Sequence, residues 1–170
     1  HYAYGKFAVY PGGNFEEHLR PFTEGAFSLN GGTKMASAVM HYYTISYGAD
    51  QTYGENVGNS FSKYIVNDLL RERFGYDGVV CTDWGITHDM GKTEEEFAGK
   101  CWGVETLTEA ERHLKALEAG VDQFGGNNDA GPVLEAYRMG CEKYGEEAMR
   151  SRFERSASRL LRNIFQTGLF

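Results

Sequence analysis

Three cysteines in 170 residues, at positions 81, 101 and 141, form an odd set with neither a Cys-x-x-Cys pair nor metal-ligand spacing. They exclude a disulfide framework, and Cys81, inside an apolar run, reads as a small buried hydrophobe. Basic residues are also short: 17 Lys and Arg stand against 24 Asp and Glu, a formal charge of -7. Without a basic excess to neutralise phosphates, nucleic acid is excluded as a partner. No apolar stretch is long enough to cross a bilayer, so no membrane partner is expected, and no Asn-x-Ser/Thr acceptor occurs. The five histidines, at 1, 18, 41, 88 and 113, show no His-x-x-x-His spacing, and neither glycine-rich phosphate-binding pattern is present. No metal or organic cofactor is expected. The chain starts with His rather than Met, which reads as a fragment or a processed product and leaves its compartment open.

What is present is an ordinary globular composition, 41% hydrophobic and 24% charged, at a length that suits one core. Aromatic residues reach 14%, and their flat faces suit stacking on sugar C–H surfaces, although most such rings serve the core.

Tyr10-Pro11-Gly12-Gly13-Asn14 marks a loop, followed by a helix over about 15–27 that Pro21 restarts or kinks. Met35 to Tyr43 reads as a strand, and Ile45 to Gly58 as a polar, glycine-rich loop. Phe61, Tyr64, Ile65 and Leu69 recur at helical spacing over 60–73, and Gly75 supplies the stop. Asp77-Gly78 turns the chain into a buried strand, Val79 to Thr82. A long loop from Asp89 to Thr106 carries Trp102. Thr108 and Glu111 form a capping box for a helix ending at Gly120. Val121 to Phe124 is a third strand, ahead of a Gly125-Gly126 turn. Two helices close the chain, over 131–143 and from Glu146, the latter with Phe153, Ala157, Leu160, Leu161 and Ile164 on one face. Strands alternating with helices imply α/β architecture with a parallel sheet.

In such folds chemistry gathers at the carboxyl ends of the strands. Asp83 follows the apolar strand directly, with the indole of Trp84 beside it. Either it is a reactive carboxylate held on a rigid element, or it caps the next segment or pairs with an arginine. Tyr43, at the end of the first strand, either donates to a reacting oxygen or carboxylate, or is a core residue with a wet hydroxyl. Met40 reads as core packing. His18 and His113 read as exposed or structural, and His88-Asp89 as a solvated loop pair.

The run Leu69-Leu70-Arg71-Glu72-Arg73-Phe74-Gly75-Tyr76-Asp77-Gly78-Val79-Val80-Cys81-Thr82-Asp83-Trp84-Gly85 closely resembles the nucleophile segment of family 3 glycoside hydrolases, the β-glucosidase family. Its hallmark is Leu-Arg, then Gly-Phe-Asp-Gly-Val-Val, then Ser/Thr-Asp-Trp. His18-Leu19-Arg20-Pro21-Phe22, Glu118 to Phe124 and Ser158 to Phe170 resemble further segments of the same family in the same order. The resemblance implies a partial TIM-like (β/α)8 barrel of about three strands with their helices, the C-terminal half of the family's first domain.

It implies Asp83 as the nucleophile of a retaining double displacement, with Trp84, Tyr43 and Met40 against the substrate. The substrate implied is a terminal β-glycoside or oligosaccharide, a β-glucoside first. A β-xyloside, a β-N-acetylhexosaminide or a non-catalytic carbohydrate-binding remnant are the alternatives. The sugar-gripping Asp, Arg and Lys-His of the family would precede His1, and its acid/base would follow Phe170. The remainder of the polypeptide is thus an implied partner, and the chain alone is expected to be inactive. His1 falls near the loop where some members carry a catalytic His, but without its context.

Overall fold

The computed structural model describes residues 5–91 and 99–169. Its strands are short and parallel. The glycine-rich opening hides a two-residue strand, β1 (Phe7–Ala8). The expected strand Met35 to Tyr43 is regular only as β2 (Ala38–Met40), and the loop expected after it begins with β3 (Ile45–Ser46). The strand after the Asp77-Gly78 turn is β4 (Val79–Cys81). β1 pairs with β3, and β2 pairs with β4 with Met40 opposite Cys81. One run of chain, 38–46, therefore contributes a strand to each of two separate two-stranded parallel sheets.

The third expected strand, Val121 to Phe124, is corrected to a single parallel bridge, Gln123 to Cys81. Its neighbour Asp122 explains the shortfall. The Asp122 carboxylate accepts the Val80 amide at 3.0 Å, so a side chain occupies a place in the ladder that a carbonyl would fill. Main-chain bonds from Asp122 N to Val80 O and from Thr82 N to Gln123 O still fasten the segment to β4.

The helices obey their local signals. α1 (Phe15–Arg20) gives way at Pro21, which has no N–H to continue the α ladder, to a wider π-helical turn over Pro21–Ala26. The helix between β3 and β4 is also π-helical, Tyr64–Arg73, and Gly75 follows it at φ 63°. α2 (Glu109–Ala119) opens on the expected capping box, with Glu111 N donating to Thr108 Oγ1 and Thr108 N to Glu111 Oε2 at 2.7 Å. It closes on Gly120 in the left-handed region at φ 115°. α3 (Gly131–Tyr144) and α4 (Glu146–Gln166) complete the chain.

Ala157, Leu161 and Ile164 of α4 are exposed, and the inward face instead carries Met149 and Ser156, flanked by the half-buried Arg152 and Arg159. The loop carrying Trp102 contributes to the core: Cys101, Trp102 and Val104 join Tyr43, Ile45, Val66, Val80, Ile86 and Val121 in it. Of that loop, 92–98 lie outside the described residues. All three cysteines are free, and Cys81 is half-buried rather than buried. The α2–α3–α4 helices share a smaller core of Leu114, Leu117, Ala136 and Met149.

Among the described residues no helix is long and apolar enough to cross a membrane. The architecture that results is mixed α/β, with helical segments between β1 and β2 and between β3 and β4.

Candidate active site

β4 is an apolar strand whose Val79 and Val80 are buried, so the residue after Thr82 leaves the core at a fixed point. That residue is Asp83, only 7% exposed. Its Oδ1 accepts the Trp84 amide at 2.7 Å, which fixes the plane of the carboxylate against its own backbone. The Trp84 ring is 51% exposed, a large apolar face open to solvent next to a buried carboxylate. Beneath that ring lies the Gly125-Gly126 turn. A Cβ on Gly125 would come within 2.8 Å of the indole, and one on Gly126 within 2.5 Å. The two loops are also laced together by Gly85 N to Gly125 O and by Gly125 N to Thr82 Oγ1, both 2.9 Å.

Tyr43 is buried, and its hydroxyl donates to the Trp84 carbonyl at 2.8 Å. The structure thus brings Asp83, Trp84 and Tyr43 together, with Tyr43 reaching the backbone directly after the carboxylate. Met40 stands apart. It is 53% exposed rather than core, and it lines a 290 Å³ apolar cavity with Phe15, Phe27, Val39, Leu69 and Phe74. Neither Asp83 nor Trp84 nor Tyr43 lines that cavity.

Cys81 flanks the site as a thiol, because burial and then the Asp83 charge push its pKa up. His88 and Asp89 are exposed, facing Glu109 and Arg112, and His18 is exposed against Tyr10. His1 lies outside the described residues. A buried carboxylate, an exposed indole and the Gly125-Gly126 turn beneath it stand side by side at the end of β4.

Residues 15–162 match the glycosyl hydrolase family 3 N-terminal domain. The chain belongs to that family. Beta-glucosidase C of Emericella nidulans is 40% identical over 170 residues, the whole of this chain and 25% of that protein. The periplasmic beta-glucosidase/beta-xylosidase of Dickeya chrysanthemi is 39% identical over 182 residues, again the whole of this chain and 26% of that protein. The chain therefore spans about a quarter of the length of the curated relatives it matches. In fold, it resembles the solved glycoside hydrolase family 3 beta-N-acetylglucosaminidase of a Paenibacillus species, with a TM-score of 0.61 at 22% identity over 91% of this chain and 26% of that one.

The floor of this candidate site is legible in sequence only as a Gly-Gly turn after an apolar run. The ring it carries is not. Thr82, Thr87, His113 and Asn127, which join the loops, have no local signal, because each matters through a partner distant in the chain. Gly126 sits at φ 70° with the indole overhead, so Gly126→Ala meets both backbone strain and a clash. It is expected to destabilise the chain by about 1–3 kcal/mol and to shift Trp84 emission. Thermal unfolding and fluorescence spectra check it, and an unchanged midpoint with an unchanged spectrum would remove the turn from the site.

Proposed function

We propose that the polypeptide carrying this chain hydrolyses terminal β-glycosidic bonds, β-glucosides first, by a retaining double displacement with Asp83 as nucleophile. The observation that carries the reading is the carboxylate fixed at the end of β4 beside an exposed indole. The names of the relatives from Emericella and Dickeya point to the same bond class. We read the parallel pairs as part of a (β/α)8 barrel, this chain supplying the nucleophile side and the remainder of the polypeptide the acid/base.

In the first step ionised Asp83 attacks the anomeric carbon as the glycosidic C–O bond breaks. An acid from the remainder, about 5–5.5 Å from the nucleophile in retaining enzymes, protonates the leaving oxygen. The same group then takes a proton from water, whose oxygen attacks the anomeric carbon and releases Asp83 and a sugar of unchanged anomeric configuration. Trp84 stacks on the sugar face, and Tyr43 holds the Trp84 carbonyl and with it the backbone of the nucleophile. The Dickeya relative's name favours β-xyloside as a second substrate of the same site.

The test is covalent capture. A 2-deoxy-2-fluoro glycoside with a good leaving group slows both steps but lets the ester accumulate. Digestion of the treated full-length polypeptide is expected to yield one labelled peptide, modified at Asp83. A label on another carboxylate, or none while substrate is still turned over, overturns the assignment.

A further inference from the structure

Thr87, His113 and Asn127 come from three segments of the chain and meet behind the candidate active site. Thr87 follows Asp83 and Trp84 in the same loop, Asn127 follows the Gly125-Gly126 floor, and His113 lies on α2. Asn127 Nδ2 is 3.0 Å from Thr87 Oγ1 and 3.3 Å from His113 Nε2, and Thr87 Oγ1 is 3.4 Å from the same nitrogen. The other ring nitrogen, Nδ1, is 2.8 Å from the Glu109 carbonyl. Thr87 and His113 are fully buried, and the His113 ring packs on Phe124 at 4.3 Å.

The donor inventory fixes the chemistry of the cluster. A carbonyl only accepts, so Nδ1 must carry the proton of the neutral ring. Nε2 is then a lone pair, and it meets the Asn127 NH2, which only donates. A protonated ring would set an Nε2 hydrogen against the Asn127 hydrogens. Burial favours the neutral form as well, lowering the His113 pKa below its ordinary value, with the Glu109 carbonyl opposing. The charged or titratable groups around it are Glu109 on its own helix, His88 from the loop after Asp83, and Asp129 from the turn after Asn127.

We propose that His113 is a positioning residue for this site: held in the Nδ1–H form, its Nε2 lone pair and Thr87 grip the Asn127 amide and so lock the floor under Trp84 to the loop that follows Asp83. The clamp explains why a polar ring occupies a fully buried place on α2 that an apolar side chain would fill without hydrogen bonds. Its catalytic consequence rests on the reading of Asp83 as nucleophile, whereas the clamp itself does not.

Asn127→Asp tests it with little change of shape. The substitution replaces a donor with a carboxylate acceptor opposite Nε2, so the ring gains by taking up a second proton. In the chain labelled with 15N-histidine, the parent His113 is expected to show protonated Nδ1 and bare Nε2 at neutral pH. In N127D its pKa is expected to rise above the ordinary value of about 6.5, with the Trp84 indole resonance displaced. A parent ring protonated on Nε2, or an unaltered titration in a folded N127D chain, overturns the clamp.

Should N127D not fold, Thr87→Val is the second variant, expected to keep the Nδ1–H form while moving the Trp84 resonance. A Trp84 signal that stays in place overturns the positioning role. In the full-length polypeptide N127D is expected to lower kcat/KM on the order of tenfold, with the 2-fluoro glycoside still labelling Asp83. A label elsewhere in the parent protein defeats the functional reading and leaves the tautomer result standing.

Discussion

Asp83→Asn in the full-length polypeptide is expected to lower turnover of an aryl β-glucoside by about ten-thousand-fold or more. The amide keeps the shape of the carboxylate, and its oxygen can still accept the Trp84 N–H that the aspartate holds at 2.7 Å. The loss is therefore one of chemistry and not of fold, which matched circular dichroism and unfolding curves would show. Without an anionic oxygen at this position no glycosyl ester forms, and the site offers no comparable charge to the developing oxocarbenium ion. Asp83→Ala sharpens the test, because it opens space below the anomeric carbon. Added azide is then expected to restore cleavage and give the α-glycosyl azide, one displacement with one inversion. Undiminished turnover by Asp83→Asn, or azide that neither reacts nor accelerates, would end the case for this carboxylate.

The elements legible in the sequence are those whose cause is local. The capping box of α2, the stop at Gly120 and the break at Pro21 depend on residues within a few positions of one another, and each appears where its residues place it. Asp83 is legible for a similar reason, since a short apolar strand after an Asp-Gly turn defines where its carboxyl end must be. β1 and β3 are not legible, because two residues become a strand only through pairing with a segment far along the chain. The inner face of α4 misleads for a different reason. Its apolar residues suggest one stripe, yet the buried positions are Met149 and Ser156, and Arg152, Ser156 and Arg159 reach a buried acid. Tyr43 belongs to both cases: its place at the end of the run is readable, but its hydrogen bond to the Trp84 carbonyl depends on the tertiary fold.

Asp122 is that buried acid, and its removal is the largest expected loss of stability. Its side chain is 0% exposed and receives Arg71 Nη2 at 2.5 Å, Arg159 Nη1 at 3.1 Å, Ser156 Oγ at 2.7 Å and the Val80 amide at 3.0 Å. Arg152 approaches at 3.7 Å, its guanidinium pushed down to about 10 by burial but still cationic at neutral pH. Asp122→Asn keeps the volume and removes the charge that three arginines share. Breaking a buried ion cluster from one side costs about 3–5 kcal/mol, which for a chain of this size lowers the midpoint by roughly 6–20 °C.

Asp77→Asn supplies the comparison. That acid is 58% exposed and pairs with Arg159 and Arg162 at the surface, where an ion pair contributes about 1 kcal/mol at most. Thermal and urea unfolding of the two variants should separate them clearly, and equal midpoints would deny Asp122 its role. The consequence for the site is direct. Asp122 grips Val80, three residues before Asp83, so the anchor that joins α4 to β4 also sets the position from which Asp83 projects.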